Sequence, residues 1–104
     1  MFQALESISN LSEGYSRCFT VDGQKLLLVH SGDETRLIPI QCPHEGYSLK
    51  KASLQNGEIC CPKHGISFRL DNGQAMGGEV MANVAPLQPI KLTEKDGVIG
   101  VEID

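Results

Sequence analysis

No part of this 104-residue sequence is apolar for long: the longest aliphatic run is Leu26 to Val29, against the roughly 20 residues that a membrane-crossing helix requires. The opening segment, MFQALESISNLSEGYSRCFT, holds neither a basic stretch nor an apolar stretch of the kind a secretory leader uses. A basic excess is missing too. Nine Lys and Arg stand against thirteen Asp and Glu, a net charge of −4, which argues against general nucleic-acid binding. Apolar residues never recur at a 3.6-residue period between two caps, so no helix of useful length is expected. Histidine is scarce at three residues. A soluble, cytoplasmic protein is therefore the expectation, and in that reducing setting clustered Cys and His point to a metal before a disulfide.

Short β-prone runs separated by turn signals fill the chain instead. YSRCFTV and QKLLLVH flank Asp22-Gly23, a pair suited to a tight hairpin because both residues tolerate positive φ. TRLIPI follows Ser31-Gly32-Asp33, and Pro39 within it marks an edge or a strand end. Further turns are expected at Asn56-Gly57, Asp71-Asn72-Gly73 and Asp96-Gly97, the last leading into VIGVEI, where Ile99, Val101 and Ile103 alternate as one buried face. One all-β domain over 1–104 is the expected organisation, as a small antiparallel sandwich or barrel. From Gln74 to Pro89 the text reads as a long loop, which in a compact domain is usually functional or packed over something.

Two segments resemble each other. CPHEGYSL (42–49) and CPKHGISF (61–68) each open with Cys-Pro, place a His within three residues, then a Gly and a short apolar ending. Two such fingers, each offering a thiolate and an imidazole, suit a four-ligand metal site. Pro43 and Pro62 hold the preceding cysteines extended, and Gly46 and Gly65 let the backbone approach a bound group. Cys60 also has a ligand-like spacing to His64, but only Cys61 reproduces the Cys-Pro opening of the first finger. Cys18 and Cys60 read as small buried apolar groups on strands; an extended 58–61 would turn Cys60 to the face opposite Cys61. His30, at the end of the LLLV strand, reads as a satisfied or surface histidine. A structural zinc uses Cys2His2 sets too, although the mixed order Cys, His, Cys, His fits that poorly.

The pattern Cys42, His44, Cys61, His64, with FTVDGQKLLLV before it and FRLDNGQ and APLQPIKL after it, resembles the Rieske-type [2Fe–2S] ferredoxins, and does so over nearly the whole chain. The resemblance implies one [2Fe–2S] cluster, with one iron held by Cys42 and Cys61 and the other by His44 and His64. It also implies a small cluster-binding subdomain of two loops, about 42–49 and 61–68, on a larger antiparallel β framework. Exchanging two thiolates for neutral imidazoles takes the oxidised centre from a formal charge of about −2 to about 0, which makes adding an electron easier. High-potential members carry a further cysteine in each loop, and a Ser and a Tyr near the cluster. Here those positions read Tyr47, Lys63, Ile66 and Phe68, which implies a low-potential, oxygenase-associated type, in the lower half of the class range.

The function implied is a soluble one-electron carrier, most simply a monomer, passing electrons from a flavin-dependent ferredoxin reductase to a terminal oxygenase. It would not itself be an enzyme. A Rieske oxygenase also needs a mononuclear iron, typically on two His and a carboxylate, and one histidine beyond the cluster pair is too few. The alternative is a non-catalytic small subunit or accessory domain of a larger reductase, resembling the small subunit of nitrite reductase. Lys50, Lys51 and Lys63 lie in or beside the two loops, whereas Glu6, Glu13, Asp33, Glu34, Glu94, Asp96, Glu102 and Asp104 lie outside them. Such a distribution can orient the loops towards an acidic partner face.

Overall fold

Three two-residue turns with positive φ at both positions build the hairpins. They are Asp22 and Gly23 (φ 51° and 79°), Asn56 and Gly57 (54° and 77°), and Asp96 and Gly97 (54° and 78°). This is type I′ geometry, whose twist matches that of the flanking strands. In the computed structural model, residues 1–41, 48–61, 66–76 and 86–103 are described. The strands are β1 (Phe2–Ser7), β2 (Tyr15–Val21), β3 (Gln24–Ser31), β4 (Glu34–Pro39), β5 (Ser53–Gln55), β6 (Glu58–Cys60), β7 (Ser67–Arg69), β8 (Ala75–Met76), β9 (Thr93–Lys95) and β10 (Val98–Glu102). Single 3-10 turns occupy Ile8–Asn10 and Leu49–Lys51.

These strands form three antiparallel sheets, ordered β1-β10-β9, β2-β3-β4 and β5-β6-β7-β8. The β2-β3-β4 sheet lies in the middle, and its two faces feed two separate cores. Leu27, Val29 and Ile38 pack with Ile59, Phe68 and Leu70 in the loop-side core. Leu26, Leu28 and Leu37 pack with Ile99 and Val101 in the base-side core. The unbroken LLLV run follows from this: β3 is covered on both faces, so every position is apolar, with none above 2% exposed. Pro39 ends β4, where a strand tolerates the loss of an N–H. Among the described residues, no helix is long and apolar enough to cross a membrane.

A hydrogen-bonded joint ties the middle sheet to the sheet of β5 to β8. Ser31, fully buried at the end of β3, donates its hydroxyl to Glu13 Oε2 at 2.6 Å and accepts from Gly57 N at 3.0 Å. Gly32 N donates to the other Glu13 oxygen at 2.8 Å. Gly32 has φ 61°, and a Cβ there would stand 3.2 Å from Gly57 N, so the two turns meet backbone to backbone. Ser31→Ala leaves the Gly57 N–H without its acceptor; we expect a loss of about 1–3 kcal/mol in denaturant unfolding of the holoprotein.

A second polar link sits under the base. Glu6 accepts from Asn10 Nδ2 at 2.9 Å, from Tyr15 Oη at 2.6 Å and from Ser7 N at 3.0 Å. These bonds, that of Asn10 first, hold its carboxyl down at about 2. Burial, and then the bond to Glu6, pushes the Tyr15 phenol up to about 12. The Glu6 contribution to stability is therefore complete above the ordinary value of 4.5 and is lost as pH falls towards 2. That of Tyr15 is complete below 10 and is lost as pH rises towards 12. Followed by carboxyl NMR, Glu6 should remain ionised at pH values where an ordinary Glu is half protonated, and Tyr15→Phe should move its midpoint upward. A midpoint unchanged by that substitution would disprove the link.

Candidate metal centre

The ends of both Cys-Pro loops are pinned by backbone bonds. Gln41 and Ser48 form an antiparallel bridge across the first, and Leu49 N donates to Ile40 O at 2.6 Å. Cys61 N donates to Ile66 O at 2.8 Å across the second. The residues at these closures point inward: Leu49 is 0% exposed, Cys61 1% and Ile66 1%, and all three belong to the loop-side core. Two loops far apart in sequence thus start from one patch of packed side chains.

The segment beyond β8 returns to the same patch. Leu87 is buried in the loop-side core, and its N–H donates to Gly73 O at 2.7 Å. Gly73 has φ 77°, and a Cβ there would stand 2.5 Å from Leu87 O, so only glycine fits the Asp71-Asn72-Gly73 turn at this contact. Asn72 Oδ1 accepts from Gln74 N at 2.9 Å, which closes the turn with a side chain.

Of the four ligands expected from the sequence, Cys61 is described; Cys42, His44 and His64 lie outside the described residues, as do Tyr47 and Lys63. Cys61 carries a free thiol at the end of β6. Cys60 is half-buried on the other face, where it lines a shallow depression with Ser53, Gln55, Glu58 and Ser67. Its free thiol lies 3.7 Å from Cys61 O. The β6 pleat separates the two adjacent cysteines as the sequence suggested. Cys18, half-buried and free, packs against the loop-side core. His30 Nδ1 lies 2.7 Å from Thr35 Oγ1 on the neighbouring strand and is a satisfied histidine. Among the described residues, no group of three or more His, Cys, Asp or Glu gathers elsewhere to hold a metal.

The surroundings suit the expected donor set. A buried thiol without a disulfide partner is free to serve as a metal ligand. Among the described residues, it packs with apolar groups of the loop-side core, which tolerate a centre of formal charge near zero better than one of −2. Ile66 and Phe68, neither of which carries a hydroxyl, are buried at 1% and 0% in the same core. What the sequence reading missed is the anchoring itself. Its signal was the apolar residue that ends each similar loop, Leu49 and Phe68, both of which prove to be core.

A family model described as Rieske [2Fe-2S] domain matches residues 1–89. No curated protein matches at a significant level. Among solved structures, the fold is similar to the ferredoxin of carbazole 1,9a-dioxygenase from Nocardioides aromaticivorans IC177, with TM-score 0.77 and 22% identity over 96% of this chain and 95% of that one. It is also similar to a Sphingomonas yanoikuyae B1 ferredoxin, with TM-score 0.80 and 19% identity over the whole of both chains. At these identities the structures speak for the fold, and the antiparallel β architecture is common to them. With that family match, and with a free buried thiol in the core that the closures of both Cys-Pro loops share, this chain belongs to the Rieske [2Fe–2S] domain family.

Proposed function

We propose that residues 1–104 form one Rieske domain that carries single electrons from a flavin-dependent reductase to a terminal oxygenase in the cytoplasm, as a monomer. The observation that carries this reading is the convergence of both Cys-Pro loop ends on the core around Cys61. Cys42, His44, Cys61 and His64 are the proposed ligands, the two Cys on one iron and the two His on the other. A bound [2Fe–2S] cluster would supply one-electron redox chemistry at a near-neutral formal charge. The chain's own part is to hold the ligand loops on a rigid core, so that little rearrangement accompanies the change of charge. Catalysis elsewhere on the chain is disfavoured by the histidine count, since His30 is committed to Thr35 and a mononuclear iron would want two.

Support for the direction of transfer comes from relatives. A solved complex of reduced oxygenase and oxidized ferredoxin in carbazole 1,9a-dioxygenase contains a chain similar to this one, with TM-score 0.77 and 23% identity over 95% of this chain and 90% of that one. Mixed with a flavin reductase and an oxygenase of this type, the holoprotein should be reduced by the first and reoxidised by the second. Failure to exchange electrons with either, together with copurification with a large reductase subunit, would favour the accessory-subunit role instead.

Two substitutions separate the adjacent cysteines. Cys61→Ser should yield protein without the red-brown colour and without equimolar iron and acid-labile sulfide, whereas Cys60→Ser should retain both. Equal loss from the two variants would refute the ligand assignment. The buried apolar residues at 66 and 68 bear on the potential. Rieske centres as a class span about −150 to +300 mV, and a value in the lower half is expected here. Ile66→Ser restores a donor beside the proposed cluster; a hydrogen bond worth roughly 1.4 kcal/mol more to the reduced state raises a one-electron potential by about 59 mV. Redox titration of both proteins checks the baseline and the shift.

A further inference from the structure

Among the described residues, charge differs between the two ends of the short β5-β6 hairpin. β5 and β6 pair Ser53 with Cys60 at one end and Gln55 with Glu58 at the other. The Asn56-Gly57 turn beyond Glu58 rests on Gly32, where β3 turns into β4. At that end Asp33, Glu34, Glu58 and Asp71 surround one shallow cavity, joined by Arg69, which is itself bonded to Asp71 at 2.6 Å. Glu13 stands on the same joint. The Cys60 end has a different character. There the chain enters β5 through the Leu49–Lys51 turn, with Leu49 fully buried beside Cys61 and Ile66 in the core and with Lys50 and Lys51 exposed.

That turn is held firmly. Ser48 Oγ accepts from Lys50 N at 3.2 Å, Leu49 N donates to Ile40 O at 2.6 Å and Ala52 N donates to Leu49 O at 3.0 Å. Both ammonium groups therefore project from a backbone fastened at the closure of the first loop, and Lys51 is two residues from Ser53, whose cross-strand neighbour Cys60 adjoins Cys61. The two ends of this three-residue hairpin lie two rises apart, roughly 7 Å, against a Debye length of about 10 Å at 0.1 M salt. Salt therefore weakens the carboxylates at that end without removing them, and Lys50 and Lys51 are the exposed cations fastened at the closure of the first loop, on a chain of net charge −4.

We propose that Lys50 and Lys51 form a docking surface for a carboxylate-rich face of the electron-accepting oxygenase component. This rests on the carrier reading given above. The surface sets the orientation of encounter: the acidic turns face away from an acidic partner, and the end that carries Cys61 faces towards it. Charge complementarity of this kind acts mainly on the rate of association and makes that rate depend on salt.

The test uses the reduced holoprotein and two small oxidants of opposite charge, each taking one electron: hexacyanoferrate(III), which becomes hexacyanoferrate(II), and hexaamminecobalt(III), which becomes the cobalt(II) ion. In stopped flow, the rate with hexacyanoferrate should fall between 0.1 and 0.5 M salt. The Lys50→Glu/Lys51→Glu variant, with the visible spectrum of the wild type, should react about tenfold more slowly with hexacyanoferrate at 0.1 M and faster with the cobalt complex. Poly-glutamate at micromolar concentration should slow the hexacyanoferrate reaction of the wild type and leave that of the variant unaltered. Equal rates for variant and wild type, or indifference to poly-glutamate, would overturn the docking surface alone. A protein that accepts no electron in the first place would overturn the carrier reading and the docking surface with it.

Discussion

The packing of Leu49, Cys61, Ile66 and Leu87 into a single core is the constraint on which the site depends. Each of these residues lies in one of the two Cys-Pro loops or the 74–89 stretch in the sequence, and each is buried. The first closes on one β-bridge, the second on one backbone bond and the third on the bond from Leu87 to Gly73. Burial of apolar side chains at about 1.5–3 kcal/mol each outweighs any one of those bonds, so the loop ends are positioned chiefly by packing. The middle sheet makes this possible because β3, apolar on both faces, supports the loop-side core with Leu27 and Val29 and the base with Leu26 and Leu28.

Much of the framework was legible in the sequence because its signals are local. Asp-Gly and Asn-Gly pairs need no tertiary help to favour positive φ at two successive residues, and each one read as a turn is a turn. The YSRCFTV run coincides with β2, and Ile99, Val101 and Ile103 do share the base-side core. β1 and β5 gave no such signal. Phe2–Ser7 mixes Glu and Ser with apolar residues and is half-buried along most of its length, and its register with β10 shifts between Ala4 and Glu6, which blurs any alternation. Ser53–Gln55 is too short for periodicity to show; only its place between Lys51 and the Asn56-Gly57 turn makes it a strand. The three-sheet arrangement was beyond reach for a related reason, since which faces meet is a matter of long-range packing.

At the site, the resemblance between CPHEGYSL and CPKHGISF was the informative signal, and the structure explains part of its logic. The Cys-Pro opening places Cys61 at a strand end with its side chain in the core, and the apolar ending brings the chain back into that core at Phe68. The same pleat sends Cys60 to the outer face beside Ser53 and Ser67. Two identical residues in sequence thus acquire unlike environments from a period of two. Motif comparison could choose between them only by analogy with the first loop; strand geometry supplies the physical reason.

The ligand role proposed for Cys61, inside a shared core, would also couple cofactor to fold. Cys61, at 1% exposure, shares its core with Leu49, Ile59 and Phe68, side chains that also hold the middle sheet, and a cluster held there as proposed would be coupled to that packing. A small domain buries only about two-thirds of its unfolded surface and has a modest margin of stability. Binding energy delivered at such a place is in large part folding energy. The Glu13, Ser31 and Gly57 joint works from the other end, fixing the start of β6 where Cys61 closes its end. Between the joint and Cys61 the strand has no freedom to shift register without exposing Ile59 and burying Glu58 or Cys60, so Cys61 is held from both sides.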